Sequence, residues 1–230
     1  MRAVLVLVML LPAAEAVADR CSGQGAGSIT MTQPDVELPL DGGVVVGTST
    51  IRLTSETGAA DAMNPSWRYR TDTDEYTPTL VPLAPGLVSY RPPAEATGVL
   101  TLAVNNVALL RIKHSAAEES VLDAPAPTRV RRSKSGTQVS IDVDLRAKPP
   151  KSALAIVIFA ITKQGTIARS WTTVSSTDKS FTVYQTPGPC EPPVPGATEA
   201  KAGERVAVAF VDLKGRLGKL SRTITVQGRK

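Results

Sequence analysis

The sequence predicts an all-β fold, two tandem β-sandwich domains behind a short leader. Three observations lead there. The 230 residues include 18 Pro and 17 Gly, spaced too closely to leave room for long helices. The apolar runs between them are short and rich in Val, Ile and Thr, which is the composition of strands. Composition also shifts at residues 115–128 (SAAEESVLDAPAPT), where an acidic stretch becomes Pro/Ala-rich, as linkers do. With 42% apolar and 20% charged residues, the chain has a globular balance.

Residues 1–18 read as a cleaved signal peptide. Arg2 gives a positive start, residues 3–11 (AVLVLVMLL) form the apolar run, and Ala16-Val17-Ala18 supply the small residues of a cleavage site after Ala18. That run is too short to span a bilayer, which needs about 20 apolar residues. A lipid anchor on Cys21 is disfavoured, because Asp19 and Arg20 stand where a lipobox carries small residues. The expected location is therefore secreted or periplasmic, and export makes Cys21 and Cys190 a candidate disulfide. Such a loop would restrict the unfolded chain by about 4–5 kcal/mol. Two unpaired thiols are the alternative.

Residues 19–33, with GQGAG at 23–27, read as a flexible mature N-terminus, and the first domain as 34–114. Its strands are expected at 42–55, 66–70 (SWRYR), 79–83, 87–91, 98–104 and 107–113, the last two flanking an Asn105-Asn106 turn. Residues 115–127 are the linker, and 114–122 is the one stretch that fits a short helix. The second domain is 128–227. Its clearest strand is 137–145 (TQVSIDVDL), where Val139, Ile141, Val143 and Leu145 alternate with Ser140, Asp142 and Asp144, giving one wet face. Residues 153–162 (ALAIVIFAIT) are almost continuously apolar, as a central strand would be. Strands at 167–174, 179–185, 205–213 and 219–226 complete the set, the last two joined by the turn KGRLG at 214–218.

Residues 128–226 resemble a fibronectin type III or immunoglobulin-like domain. The likeness rests on the APAPT entry and the closing ERVAVAFVDLKGRLGKLSRTITV, with its strand, Asp-x-x-Gly and strand. Residues 34–46 (PDVELPLDGGVVV) are similar to the opening of bacterial Ig-like domains. The chain lacks the Cys…Trp…Cys spacing of antibody domains and carries Phe210 where a tyrosine is common. The resemblance implies architecture, with adhesion, spacing or ligand binding as the roles such domains serve.

Composition excludes much chemistry. A single histidine, His114, removes most metal centres and most imidazole-based acid–base catalysis. Aromatics at 4% leave no stacking platform for single-stranded nucleic acid. Ser176 and Lys179 have the Ser-x-x-Lys spacing of penicillin-binding enzymes, but in a loop and in the wrong chain order. Asp72, Asp74 and Glu75 crowd one loop without the pattern of a calcium site. Trp67 and Trp171 read as core anchors, one per domain. No cofactor and no metal site is expected.

Charge is the informative remainder. Residues 19–125 carry 7 Lys+Arg against 13 Asp+Glu, a net of −6, whereas residues 126–230 carry 18 against 7, a net of +11. Three basic groups stand out in the second domain: Arg129, Arg131, Arg132 and Lys134; Arg146, Lys148 and Lys151; and Lys214, Arg216, Lys219 and Arg222. The expectation is an exported, non-enzymatic binding, adhesion or spacer protein of the cell envelope. These eleven residues form either a solvated basic face or a surface that contacts a polyanion such as anionic polysaccharide, and the other expected partner is another envelope protein. The alternative is a carboxylate-dependent polysaccharide hydrolase.

Overall fold

The computed structural model describes residues 35–39, 43–47, 66–96, 98–104, 107–115, 121–186 and 196–228. The leader, Cys21, Cys190, the segment 48–65 and the expected Asn105-Asn106 turn lie outside the described residues. Every described element is a strand, so the all-β expectation holds. No helix among the described residues is long and apolar enough to cross a membrane.

The first eight strands are β1 (Asp35–Pro39), β2 (Val44–Gly47), β3 (Trp67–Arg70), β4 (Glu75–Tyr76), β5 (Thr79–Ala84), β6 (Leu87–Arg91), β7 (Val99–Val104) and β8 (Val107–Ser115). They form a five-stranded sheet, β1-β8-β7-β3-β4, and a three-stranded sheet, β2-β6-β5. The first of these places Trp67, Tyr69, Leu102, Leu100 and Ile112 on one buried face through its cross-strand register. That face meets β6 of the second sheet: the Trp67 and Tyr90 rings lie 4.6 Å apart, and the Tyr69 hydroxyl donates to the Tyr90 carbonyl at 2.6 Å.

The later strands are β9 (Pro127–Ser135), β10 (Gln138–Leu145), β11 (Ala153–Thr162), β12 (Gly165–Thr173), β13 (Ser180–Tyr184), β14 (Arg205–Asp212), β15 (Ile224–Thr225) and β16 (Gln227–Gly228). They make two four-stranded sheets, β13-β10-β9-β16 and β12-β11-β14-β15. Between these lies a core of Val130, Ile141, Val143, Phe181, Val183, Ile156, Ile158, Val206, Val208 and Phe210. The chain closes this pair by crossing between sheets: Ile224 pairs with β14, Val226 is buried, and Gln227 pairs in parallel with β9.

A second apolar core joins the two halves. Leu83, Ala84 and Leu87 of β5 and β6 pack with Ala155, Val157, Phe159, Ala209 and Val211 of β11 and β14. The almost unbroken apolar run of β11 is thereby explained. Its odd and even residues both face cores, Ile156 and Ile158 one way and Ala155, Val157 and Phe159 the other. Leu87 and Tyr90, on opposite faces of β6, make the three-stranded sheet an inner layer of a four-sheet stack. Two hydrogen bonds cross the same junction, from Trp171 Nε1 to the Pro85 carbonyl at 3.0 Å and from Gly43 N to the Lys214 carbonyl at 2.7 Å. Trp171 therefore anchors the junction between halves, not the core of the second half. Trp67 is a core anchor, 5% exposed.

β1, β4 and β16 fall where the sequence predicts no strand, and three further elements differ from the sequence expectation. β9 was expected to be an entry segment and basic cluster, because Val130 is its one fully buried apolar residue between arginines. Residues 114–122 are not a helix where they are described: His114 and Ser115 extend β8, and Leu122 lies outside any helix or strand and packs against the second-half core. Residues 219–226 keep only Ile224–Thr225 as strand. Ser221 there bonds its hydroxyl and amide to Val208 in place of a regular ladder.

Candidate functional site

The eleven basic residues singled out from sequence include two groups, on β9 and at one end of the sandwich, and four that belong to neither, Lys214, Arg216, Lys219 and Arg222. Those on β9 are largely neutralised. On the outer face of the β13-β10-β9-β16 sheet, Arg129 lies opposite Asp144 and Arg131 opposite Asp142. Arg129 is clamped to the Asp144 carboxylate, with Nε at 2.7 Å and Nη2 at 2.6 Å. The Arg131 Nη2 to Asp142 separation is a looser 3.6 Å. Arg132, on the rim, bonds Glu199 at 3.0 Å. The sequence alternation that marked Asp142 and Asp144 as a wet face is the same alternation that puts these arginines beside them.

Neighbouring hydroxyls complete the acids. Ser180 donates to Asp144 Oδ1 at 2.7 Å and Thr182 to Asp142 Oδ1 at 2.9 Å. The Ser180 hydrogen bond, with the Arg129 guanidinium, holds the Asp144 carboxyl below the usual carboxylate range despite the opposing cost of partial burial. In the first half, Glu75 forms ion pairs with Arg68 at 3.2 Å and Arg70 at 2.8 Å.

Arg216 is not on the surface. It is buried with Asp212, their side chains 5–6% exposed, Nε to Oδ2 at 2.9 Å. Asp212 Oδ1 also accepts from the Lys214 and Arg216 amides, both at 2.9 Å, so this pair shapes the 212–218 turn. Arg216 therefore leaves the candidate contact set, and the half-buried Lys214 is part of the same turn. Lys219 reaches Asp123 at 3.1 Å, an exposed pair. Lys134, on β9, and Arg222, in the 219–223 segment, are both exposed.

The second group gathers at one end of the second sandwich. Arg146, Lys148 and Lys151 are all exposed in the loop from β10 to β11. The Leu145 amide donates to the Lys179 carbonyl at 2.7 Å, which brings Lys179 beside Arg146. The Leu213 amide donates to the Ser152 carbonyl at 2.9 Å, which sets the 214–216 turn beside Lys151. Among the described residues, Arg146, Lys148, Lys151 and Lys179 form no ion pair. Lys179 escaped the sequence reading because it stands alone in its segment; only the strand pairing places it here.

The described residues contain no cluster of His, Cys, Asp and Glu able to hold a metal ion. The chain matches no known family model and no curated relative.

Proposed function

We propose that the protein is an exported, non-enzymatic binding protein of two tandem Ig-like or fibronectin type III-like domains, 34–114 and 128–227, which contacts a polyanion at one end of its second domain. The contact residues are Arg146, Lys148, Lys151 and Lys179. The observation that carries this reading is the division of the cations: arginines on β9 are matched by Asp142, Asp144 and Glu199, whereas the end loops hold unmatched ones.

The test is titration of residues 19–230 with dextran sulfate and with duplex DNA across a salt series. Binding should weaken steeply with salt. Replacing Arg146, Lys148 and Lys151 together with Gln should reduce the slope of log K against log salt on DNA by about 2–3. Failure of both polymers to bind at low salt, or an unchanged slope in the triple variant, overturns the proposal.

A further inference from the structure

The outer face of the β13-β10-β9-β16 sheet is a second surface, distinct from the end loops. Cross-strand register arranges it in three rows: Tyr184, Ser140 and Ser133; Thr182, Asp142, Arg131 and Gln227; Ser180, Asp144 and Arg129. Two arginines balance two aspartates, so the face as a whole attracts neither a polyanion nor a polycation.

The rows differ in how fully their polar atoms are used. The Asp144 row is saturated, its carboxylate taking Arg129 on one oxygen and Ser180 on the other. The Asp142 row is open. Thr182 occupies Oδ1, but Oδ2 sees only Arg131 at 3.6 Å, beyond hydrogen-bond range. The Arg131 side chain makes no hydrogen bond, and its Nε is buried below the surface of the face. Its Nη groups, on a side chain that is 35% exposed, are the donors that face outward with capacity to spare. Diagonal to Asp142, two residues along β13 from its partner Thr182, stands Tyr184, 57% exposed and the one aromatic ring on this face among the described residues.

An acceptor-only carboxylate beside a donor-only guanidinium, both with free capacity, suits a group that donates and accepts at once. Vicinal hydroxyls of a sugar ring are such a group, and the apolar C–H face of the same ring packs on an exposed tyrosine. We propose that this face binds a neutral pyranose unit of a glycan chain, its ring stacked on Tyr184 and adjacent hydroxyls shared between Asp142 and Arg131. The proposal does not depend on the polyanion reading.

Its test uses residues 19–230 at high salt, where the end-loop cations are screened. Calorimetric titrations would use hexamers of β-1,4-linked glucose, β-1,4-linked N-acetylglucosamine and α-1,4-linked glucose. At least one should bind. Tyr184→Ala and Arg131→Gln should each weaken that binding about tenfold or more, a loss of about 1.4 kcal/mol or greater. Tyr184→Phe, which keeps the ring, and Arg129→Gln, which alters the saturated row, should stay within about threefold of the parent. Binding of none of the three hexamers, or full retention in Tyr184→Ala or Arg131→Gln, overturns the inference. Loss of dextran sulfate binding in the triple end-loop variant leaves it untouched.

Discussion

The apolar junction between β5/β6 and β11/β14 makes the two halves one cooperative unit, and Leu87 is the place to test that. Leu87 is 1% exposed and belongs to the same core as Val157 and Phe159. Leu87→Ala removes three carbon atoms, a transfer loss of about 2–2.5 kcal/mol. A residual cavity between two rigid sheets adds about 1–2 kcal/mol more, giving about 3–4.5 kcal/mol in all. Chemical denaturation of residues 19–230, followed by tryptophan fluorescence and far-UV circular dichroism, should show one transition that shifts as a whole. The reporter matters, since Trp67 lies in the first half and Trp171 at the junction. A double-mutant cycle of Leu87→Ala with Val157→Ala should give a coupling above about 0.5 kcal/mol. Two separate transitions, with Leu87→Ala moving only one and the cycle additive, would refute the shared core.

Two further outcomes follow from the geometry. Gly215 has a φ of +73°, and a Cβ there would collide with the Gly43 carbonyl and the Ser89 hydroxyl. Gly215→Ala should thus cost about 2–4 kcal/mol by thermal unfolding, against about 1 kcal/mol for Gly136→Ala, where φ is +58° and the space is open. Asp144, with its carboxyl lowered in the folded state, contributes stability above its unfolded value near pH 3.9 and loses it as pH falls towards the lower folded value. Asp144→Asn should therefore destabilise by about 1 kcal/mol at neutral pH and by progressively less below about pH 4, read from denaturation midpoints over pH.

Much of the fold was legible because burial on one face writes itself as alternation. β10 reads off Val139, Ile141, Val143 and Leu145 directly, and β6 and β11 match their expected limits. β9 was illegible for the complementary reason. Its outer face is filled by Arg129 and Arg131, whose partners sit on another strand, and its inner face gives way to Arg132 at the rim. A strand stabilised by cross-strand ion pairs has no local hydrophobic period to report. The candidate contact residues divide in the same way. Arg146, Lys148 and Lys151 are adjacent in sequence, so their cluster was visible; Lys179 and Tyr184 join their sites only through pairing with β10. Arg216 was misplaced because nothing local to KGRLG shows that the turn is covered by the first half.

The charge asymmetry, −6 against +11, invites the view that opposite potentials dock the halves. The junction argues for a different cause. Its members Leu83, Leu87, Val157, Phe159 and Val211 are apolar, and such packing is insensitive to ionic screening. The two explanations predict opposite signs. If attraction between the halves held them together, added NaCl would shorten the Debye length from about 10 Å at 0.1 M to about 3 Å at 1 M and lower the unfolding midpoint. If apolar burial holds them, salt mainly relieves repulsion among the unmatched cations of the second half, and the midpoint stays level or rises by up to about 1 kcal/mol in stability. Thermal unfolding of residues 19–230 between these salt concentrations reads the sign. A falling midpoint would return the basic surplus to docking and remove the argument that Arg146, Lys148 and Lys151 are free to meet a polyanion; a level or rising one leaves that surplus facing outward, where a ligand can use it.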